Sequence, residues 1–138
     1  MYEESAQTQS NLLTQEEIDR YSRQIAIFGI KGQERLKRTK VLIVGVGGLG
    51  SVASFYLVAA GIGELVIVDS KKVRLSNLNR QILFTTQDVG KYKAEIAKER
   101  LLKLNPNVRI KAYSRRLNEE LADELVPEVD VIVDALDN

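Results

Sequence analysis

The glycine cluster GVGGLG at residues 45–50 constrains the fold of this chain more than any other segment. It follows directly on the apolar run VLIV and precedes apolar residues at helical spacing. Gly45, Gly47 and Gly50 match the GxGxxG pattern of a turn that joins a buried strand to a helix. Such a turn lets backbone amides approach a phosphate at the positive end of the helix dipole. The pattern favours a nucleotide-binding unit, although tight packing of the helix on the strand without a ligand would require the same glycines.

Apolar runs and helical periods alternate along the rest of the chain. Four runs are predicted as strands: VLIVG at 41–45, ELVIVD at 64–69, VRIKAY at 108–113 and VDVIVDA at 129–135. Helices are predicted from Leu49 to Ala60 and over about 91–104, and Asn118 caps a short helix that Pro127 ends. Right-handed crossovers between such strands give an α/β fold with a Rossmann-like, doubly wound and mostly parallel sheet, in the order 3-2-1-4.

The segment before the first strand is predicted to contain helices. A capping box at Thr14 and Glu17 begins a helix expected over about 15–27, because apolar residues recur at helical spacing. A short second helix is expected over about 32–38. Residues 1–13 show no periodicity, and they are interpreted as a flexible leader.

Composition excludes several classes of chemistry. The chain has no Cys and no His, which removes thiol nucleophiles, imidazole acid–base catalysis and zinc sites built from these residues. Its 20 basic and 19 acidic residues give no electrostatic bias toward nucleic acid or a membrane. The basic patches at 37–40 and at Arg115–Arg116 are interpreted as solvated surface. No apolar stretch is long enough to cross a bilayer and the N-terminus is polar and acidic, so a cytoplasmic location is expected.

The ligand crevice of such a sheet lies outside the carboxyl ends of strands one and four. The glycine turn, Asp69 and Asp137 converge there. Asp69 closes the second strand, where a carboxylate accepts hydrogen bonds from ribose hydroxyls. Ser51 and Val52 stand where a Walker-type phosphate loop requires Lys and then Ser or Thr, which excludes that type of loop. We therefore predict a mononucleotide or dinucleotide site.

The connection after the second strand favours ATP over a nicotinamide cofactor. It carries Arg80 and Lys93, together with Asn77 and Gln81, to the same edge of the sheet. The two cations suit phosphate oxygens, and Asp137 at the end of the fourth strand suits a magnesium ion. An NAD-dependent oxidoreductase is disfavoured, because no His is present to transfer a proton.

Seven motifs occur in one order and register along the chain. They are RYSRQI at 20–25, GVGGLG at 45–50, VD at 68–69, SNLNRQ at 76–81, GKYK at 90–93, LNP at 104–106 and DALDN at 134–138. Together they resemble the ThiF, MoeB and HesA family, prokaryotic relatives of ubiquitin-activating enzymes. The resemblance covers residues 16–138. It implies that ATP and Mg²⁺ are bound and that AMP is transferred to the C-terminal glycine of a ubiquitin-like or sulfur-carrier protein ending in Gly-Gly.

The resemblance also implies a role for each matched residue. The nucleotide-binding set is Gly45, Gly47, Gly48, Gly50, Asp69, Asn77, Arg80, Gln81 and Lys93. Arg23, Arg80 and Lys93 are the implied catalytic cations, and Arg23 would reach the phosphates of a neighbouring subunit's site. Asp137 is the implied magnesium ligand. Lys71 departs from the pattern, since it stands where the family usually has a second acidic residue.

Members of this family continue for about another domain. Residues 14–138 are therefore expected to form a nucleotide-binding adenylation domain that is truncated after the fourth strand. The first hypothesis is the ATP-binding half of an adenylating enzyme, as a homodimer or heterodimer. The second is a non-catalytic partner subunit of a heterodimeric activating enzyme.

Overall fold

The computed structural model describes residues 9–137, and within them a four-stranded parallel sheet is flanked by helices. The strands are β1 (Lys40–Val44), β2 (Glu64–Val68), β3 (Arg109–Tyr113) and β4 (Val131–Asp134). The helices are α1 (Gln15–Arg20), α2 (Ser22–Lys37), α3 (Gly48–Ala60), α4 (Lys93–Leu104) and α5 (Glu119–Leu125). Short 3-10 turns occupy Leu75–Asn77, Thr86–Asp88 and Val126–Glu128. The α/β class and the order β3-β2-β1-β4 confirm the prediction.

The register of the sheet brings the carboxyl ends of the strands to one edge. Val44 at the end of β1 pairs with Val68 of β2 on one side and with Asp134 of β4 on the other. Val68 in turn pairs with Tyr113 of β3. The segments that follow the four strands therefore all begin at this edge, where a doubly wound sheet binds its ligand.

Helices cover both faces of the sheet at β1 and β2, whereas β4 is largely exposed. On one face Leu42 and Val66 pack against Leu121 and Leu125 of α5. On the other face the alternate strand residues pack against α3 and α4, and this forms the larger cluster. Successive strand residues point to opposite faces, which explains why β1 after Lys40 and β2 after Glu64 are apolar.

The N-terminal helices differ from their prediction. The helix expected over 15–27 is present but is not continuous, because Tyr21, with a φ of −101° and a ψ of 13°, divides it into α1 and the first part of α2. Tyr21 is 2% exposed, its ring lies against Gly61, and its hydroxyl accepts a hydrogen bond from Asn105 Nδ2 at 2.7 Å. These tertiary contacts hold the Tyr21 ring in the core at the point where the two helices meet. The helix expected over 32–38 is the last part of α2, which Gly29 interrupts with a φ of 79°.

The packed part of the domain begins before residue 14. Of the leader expected over 1–13, residues 1–8 lie outside the described part. The Ser10 hydroxyl accepts hydrogen bonds from the backbone N–H groups of Leu12 and Leu13. Leu13 is buried against Ile18 and Ile30. Across residues 9–137, none of the helices has the length and apolar character needed to cross a membrane.

Candidate nucleotide-binding site

The glycine turn holds α3 unusually close to the end of β1. Gly45 has a φ of 97°, and a Cβ there would lie 2.9 Å from the carbonyl oxygen of Ala135. A Cβ on Gly50 would lie 1.9 Å from the carbonyl oxygen of Gly45. The first position therefore needs glycine for its backbone conformation, and the second needs it for close packing. The turn begins α3 at Gly48, so the amino end of this helix faces the ligand edge of the sheet.

Asp69 fastens this turn to the end of β2. Its Oδ2 accepts the N–H of Val46 at 2.9 Å, and its Oδ1 accepts the N–H of Lys71 at 2.8 Å. Its own N–H donates to the carbonyl of Tyr113 on β3. A carboxylate offers about four lone-pair positions, so two remain for further donors. Asp69 can therefore hold the turn and accept ribose hydroxyls at once.

A short antiparallel contact ties the segment after β2 to the start of α4. Lys72 and Tyr92 form a bridge, and the N–H of Lys93 donates to the carbonyl of Lys71 at 3.0 Å. The N–H of Val73 donates to the carbonyl of Lys91 at 2.8 Å. This contact places Lys93, the first residue of α4, beside Asp69 and Lys71.

A cavity of about 810 Å³ opens at the carboxyl ends of the strands. Its size lies within the range of small-molecule sites, about 300–1,000 Å³. Five of the lining side chains are cationic and two are carboxylates: Lys71, Arg80, Lys93, Arg115 and Arg116, with Asp69 and Asp137. The excess of positive charge suits an anionic ligand, as expected for a nucleotide with several phosphates.

Lys93 is the most deeply placed of these cations. Its side chain is 5% exposed, and within residues 9–137 its ammonium makes no hydrogen bond or ion pair. Burial lowers the pKa of Lys93, and the neighbouring charges of Lys71 and Arg80 lower it further, while Asp69 and Asp137 oppose the change. A charge that has lost much of its hydration and has no partner is costly, and because Lys93 lines the cavity, an anionic ligand there can supply the partner.

The turn at residues 76–81 supplies a second part of the wall. Gln81 is 4% exposed, and its Oε1 has no hydrogen-bond partner among the described residues. Arg80 donates from Nη1 to the carbonyl of Ser76 and to Asn79 Oδ1. Asn77 lies behind the wall and does not line the cavity. Its Oδ1 accepts the N–H of Arg74, and its carbonyl accepts the N–H groups of Arg80 and Gln81, so Asn77 shapes the turn.

The structure brings most of the predicted site residues to this cavity but not all. Gly45, Gly47 and Gly48 line it, as do the predicted carboxylates and the cations of α4 and of the 76–81 turn. Gly50 packs behind the turn. Arg23 is exposed on α2 and does not line the cavity, so this chain does not bring it to its own site.

The donor set at the cavity is compatible with magnesium. Within residues 9–137 no group of three or more acidic side chains could hold a metal by itself. Mg²⁺ usually keeps several waters and takes one or two carboxylates together with substrate phosphates. Asp137 is an exposed carboxylate in the cavity wall, and it fits this limited requirement.

Two cations of the cavity were missed by sequence reasoning. Arg115 and Arg116, interpreted above as solvated surface, line the wall beside Asp69. They follow β3, whose end meets that of β2 at the ligand edge. Combined with the predicted strand order, this sequence position was the signal that could have identified them. Apolar contacts come from Leu49, Leu117 and Leu136.

The chain is similar to known proteins over nearly its whole length. Residues 21–138 match the ThiF family. The sulfur carrier protein adenylyltransferase of Thermus thermophilus is 52% identical over 127 residues, which cover 91% of this chain and 47% of that protein. The sulfur carrier protein ThiS adenylyltransferase of Escherichia coli is 46% identical over 121 residues, covering 86% of this chain and 48% of that protein. The chain spans about half the length of these curated relatives.

A solved structure with ATP is also similar. The crystal structure of the E. coli tRNA N6-threonylcarbamoyladenosine dehydratase, TcdA, in complex with ATP matches with a TM-score of 0.85 at 28% identity. The match covers 91% of this chain and 52% of that chain. The likeness therefore extends over nearly all of the described fold.

Proposed function

The chain belongs to the ThiF family, and on this premise we propose that it supplies the ATP-binding half of an enzyme that adenylates a protein. The proposed substrate is the C-terminal glycine of a ubiquitin-like or sulfur-carrier protein. Relatives named as sulfur carrier protein adenylyltransferases support this substrate class. The similar structure in complex with ATP supports the nucleotide. ATP as the co-substrate makes the cytoplasm the expected compartment.

The observation that carries the proposal is Lys93, a buried residue with an unpaired ammonium, in the wall of a cavity rich in cations. A structural lysine would be paired or would extend into solvent. Phosphate oxygens would supply the missing partner. Gln81 Oε1 remains without a donor in the same wall, where a ligand hydroxyl or amino group could satisfy it.

The chemistry of adenylation matches the residues that the chain has. The carboxylate of the carrier protein attacks the α-phosphorus of ATP, a new C–O–P bond forms, and the bond to pyrophosphate breaks. The nucleophile is already ionised, so no general base is needed, and the absence of His and Cys from this chain is no obstacle. Negative charge develops between two anions, and fixed cations such as Arg80 and Lys93 stabilise it. Asp69 would orient the ribose.

Magnesium would be held by Asp137 and by phosphate oxygens. When bound, it neutralises charge on the phosphates and on the leaving pyrophosphate. The residues of the chain have a different role, because they align the α-phosphate with the entering carboxylate.

The position of Arg23 is the reason that the proposal includes a dimer. It lies outside the cavity of its own chain, so a role at the phosphates requires a second subunit. The resemblance of RYSRQI to the family motif supports such an exchange between subunits. We expect a homodimer or a heterodimer in which each Arg23 reaches the other site.

ATP binding with and without Mg²⁺, measured by titration calorimetry, is the direct test. We expect binding that depends on Mg²⁺ and weakens by at least about tenfold in Lys93→Ala, because a charged hydrogen bond contributes about 1.5–3 kcal/mol. Equal affinities in the wild type and in this variant would contradict the proposal. Lys103→Ala, on the exposed face of the same helix, is the matched control.

Pyrophosphate exchange separates the two forms of the hypothesis. Exchange by the chain with a carrier protein ending in Gly-Gly would support an adenylating enzyme. ATP binding without exchange, followed by exchange on addition of a longer ThiF-family protein, would support a partner subunit of a heterodimer. Because the chain spans about half the length of these relatives, exchange should be measured both without and with the longer protein.

A further inference from the structure

The backbone of Lys71 lies between Asp69 and Lys93, which both line the nucleotide cavity. Its N–H donates to Asp69 Oδ1 at 2.8 Å, and its carbonyl accepts the N–H of Lys93 at 3.0 Å. The backbone of Lys71 is therefore fixed on both sides by residues of the nucleotide cavity. The backbone at Lys71 therefore needs little further ordering when a ligand arrives, and only the exposed side chain has to become ordered.

The local backbone separates Lys71 from its neighbour Lys72. Residues 71–73 run antiparallel to 91–93, and successive side chains of extended backbone point to opposite sides. Val73 is buried in the core, whereas the Lys72 ammonium lies 5.0 Å from the centre of the Tyr92 ring. Lys71 lines the nucleotide cavity and Lys72 does not. Both lysines line a second depression beside Tyr92, and of the two only Lys71 also lines the nucleotide cavity.

Lys71 lines the cavity, and its positive charge is not neutralised by an ion pair with the described residues. Among the described residues, no carboxylate forms an ion pair with Lys71. The carboxylate of Asp69, which accepts the N–H of Lys71, also accepts the N–H of Val46. The positive charge of Lys71 also contributes to the lowered pKa of Lys93, in agreement with the position of both side chains in the cavity wall.

We propose that Lys71 is a nucleotide-binding residue whose ammonium contacts the phosphate group next to the ribose. This inference rests on the proposed function. Asp69 is the expected ribose acceptor and Lys93 the expected phosphate cation. The backbone of Lys71 is hydrogen-bonded to both residues. In an adenylation reaction the phosphate next to the ribose is the group under attack, so a cation at this point stabilises the charge that develops.

A comparison of adenosine with AMP tests this inference. The two ligands differ only in the phosphate next to the ribose, so the ratio of their affinities reports the contacts of that group. In Lys71→Met we expect AMP binding to weaken by about tenfold, as for the loss of a hydrogen bond to a charged group, while adenosine binding stays unchanged. Lys71→Arg should retain most of the AMP affinity, because it keeps the charge.

Lys72→Met is the matched control, and it should leave both affinities at the wild-type value. Because the Lys71 side chain is exposed, its variants should keep the fold, which circular dichroism and thermal unfolding would check. Lys71→Gln provides a second neutral variant. Unchanged AMP affinity in both neutral variants, or an equal loss for adenosine and AMP, would overturn the role of Lys71. Failure of the wild-type chain to bind any adenine nucleotide would overturn the proposed function and this inference together.

Discussion

Asp69 Oδ2 accepts the N–H of Val46 at 2.9 Å, so the carboxylate that follows β2 also holds the glycine turn that follows β1. One side chain therefore serves both the fold and the expected ribose contact. Because the two parallel strands end side by side, this bond crosses from one βα connection to the next. Loss of Asp69 should affect stability and binding together, and the two effects can be separated.

Asp69→Ala should lower the free energy of unfolding by about 1–3 kcal/mol, because it removes the acceptor of two backbone N–H groups. Urea unfolding followed by circular dichroism measures this effect.

The Asp69→Ala variant should also bind ATP more weakly. The ribose contact is isolated by comparing the affinities of ATP, 2′-deoxy-ATP and 3′-deoxy-ATP for the wild type and for Asp69→Ala. Removal of the contacted hydroxyl should weaken binding to the wild type but not to the variant. If the deoxy analogues bind both proteins with the same relative loss, Asp69 does not contact the ribose.

Lys93→Met should make the nucleotide-free protein more stable by about 1 kcal/mol, because it replaces a buried, unpaired charge by an apolar side chain of similar length. The same change should abolish much of the ATP affinity. Thermal unfolding without nucleotide gives the first effect, and titration calorimetry gives the second. Lys103→Met should change neither quantity. A destabilised Lys93→Met protein would show that the ammonium has a partner that stabilises the fold.

The stability of the nucleotide-free protein should depend on the titration of Lys93. Burial lowers the pKa of Lys93 in the folded state, so between the folded and the unfolded pKa the unfolded chain binds more protons. Stability due to this group therefore rises with pH up to its ordinary pKa of about 10.4. We expect the advantage of Lys93→Met over the wild type to shrink as the pH is raised from about 7 to about 10. Urea unfolding of both proteins at each pH measures the difference, and a constant difference would contradict the assignment.

Gly50→Ala should destabilise the protein by about 3 kcal/mol or more, because its Cβ would lie 1.9 Å from the carbonyl oxygen of Gly45 and must displace backbone. Gly48→Ala is the matched control on the same helix. Its Cβ would meet Arg80 atoms at 3.7 Å, an ordinary contact, so the fold should remain as stable as the wild type. Chemical denaturation measures the free energy of unfolding of each variant and tests this difference. Equal destabilisation would mean that helix position alone, and not the close approach of α3 to β1, requires glycine.

Much of the fold was predictable because its signals are local. The apolar runs of β1 and β2, the glycines between β1 and α3, and Asn118 as the cap of α5 are each visible in a few residues. The Asn118 side chain indeed accepts the N–H of Leu121. The break at Tyr21 was not predictable from the periodicity of 15–27. At this break Tyr21 contacts Gly61 and Asn105, and both are distant from it in the sequence.

The sequence by itself determined the order of the elements, the glycine turn, and the residue types available for chemistry, since helix and strand periods and the lack of His and Cys are properties of the chain alone. The tertiary structure decided which cations share one cavity. Parallel strands deliver their carboxyl ends to one edge, and this brings Arg115 and Arg116 beside Asp69. It also decided that Lys71, but not Lys72, lines the nucleotide cavity, because the pairing of residues 71–73 with 91–93 holds this segment at the edge of the cavity.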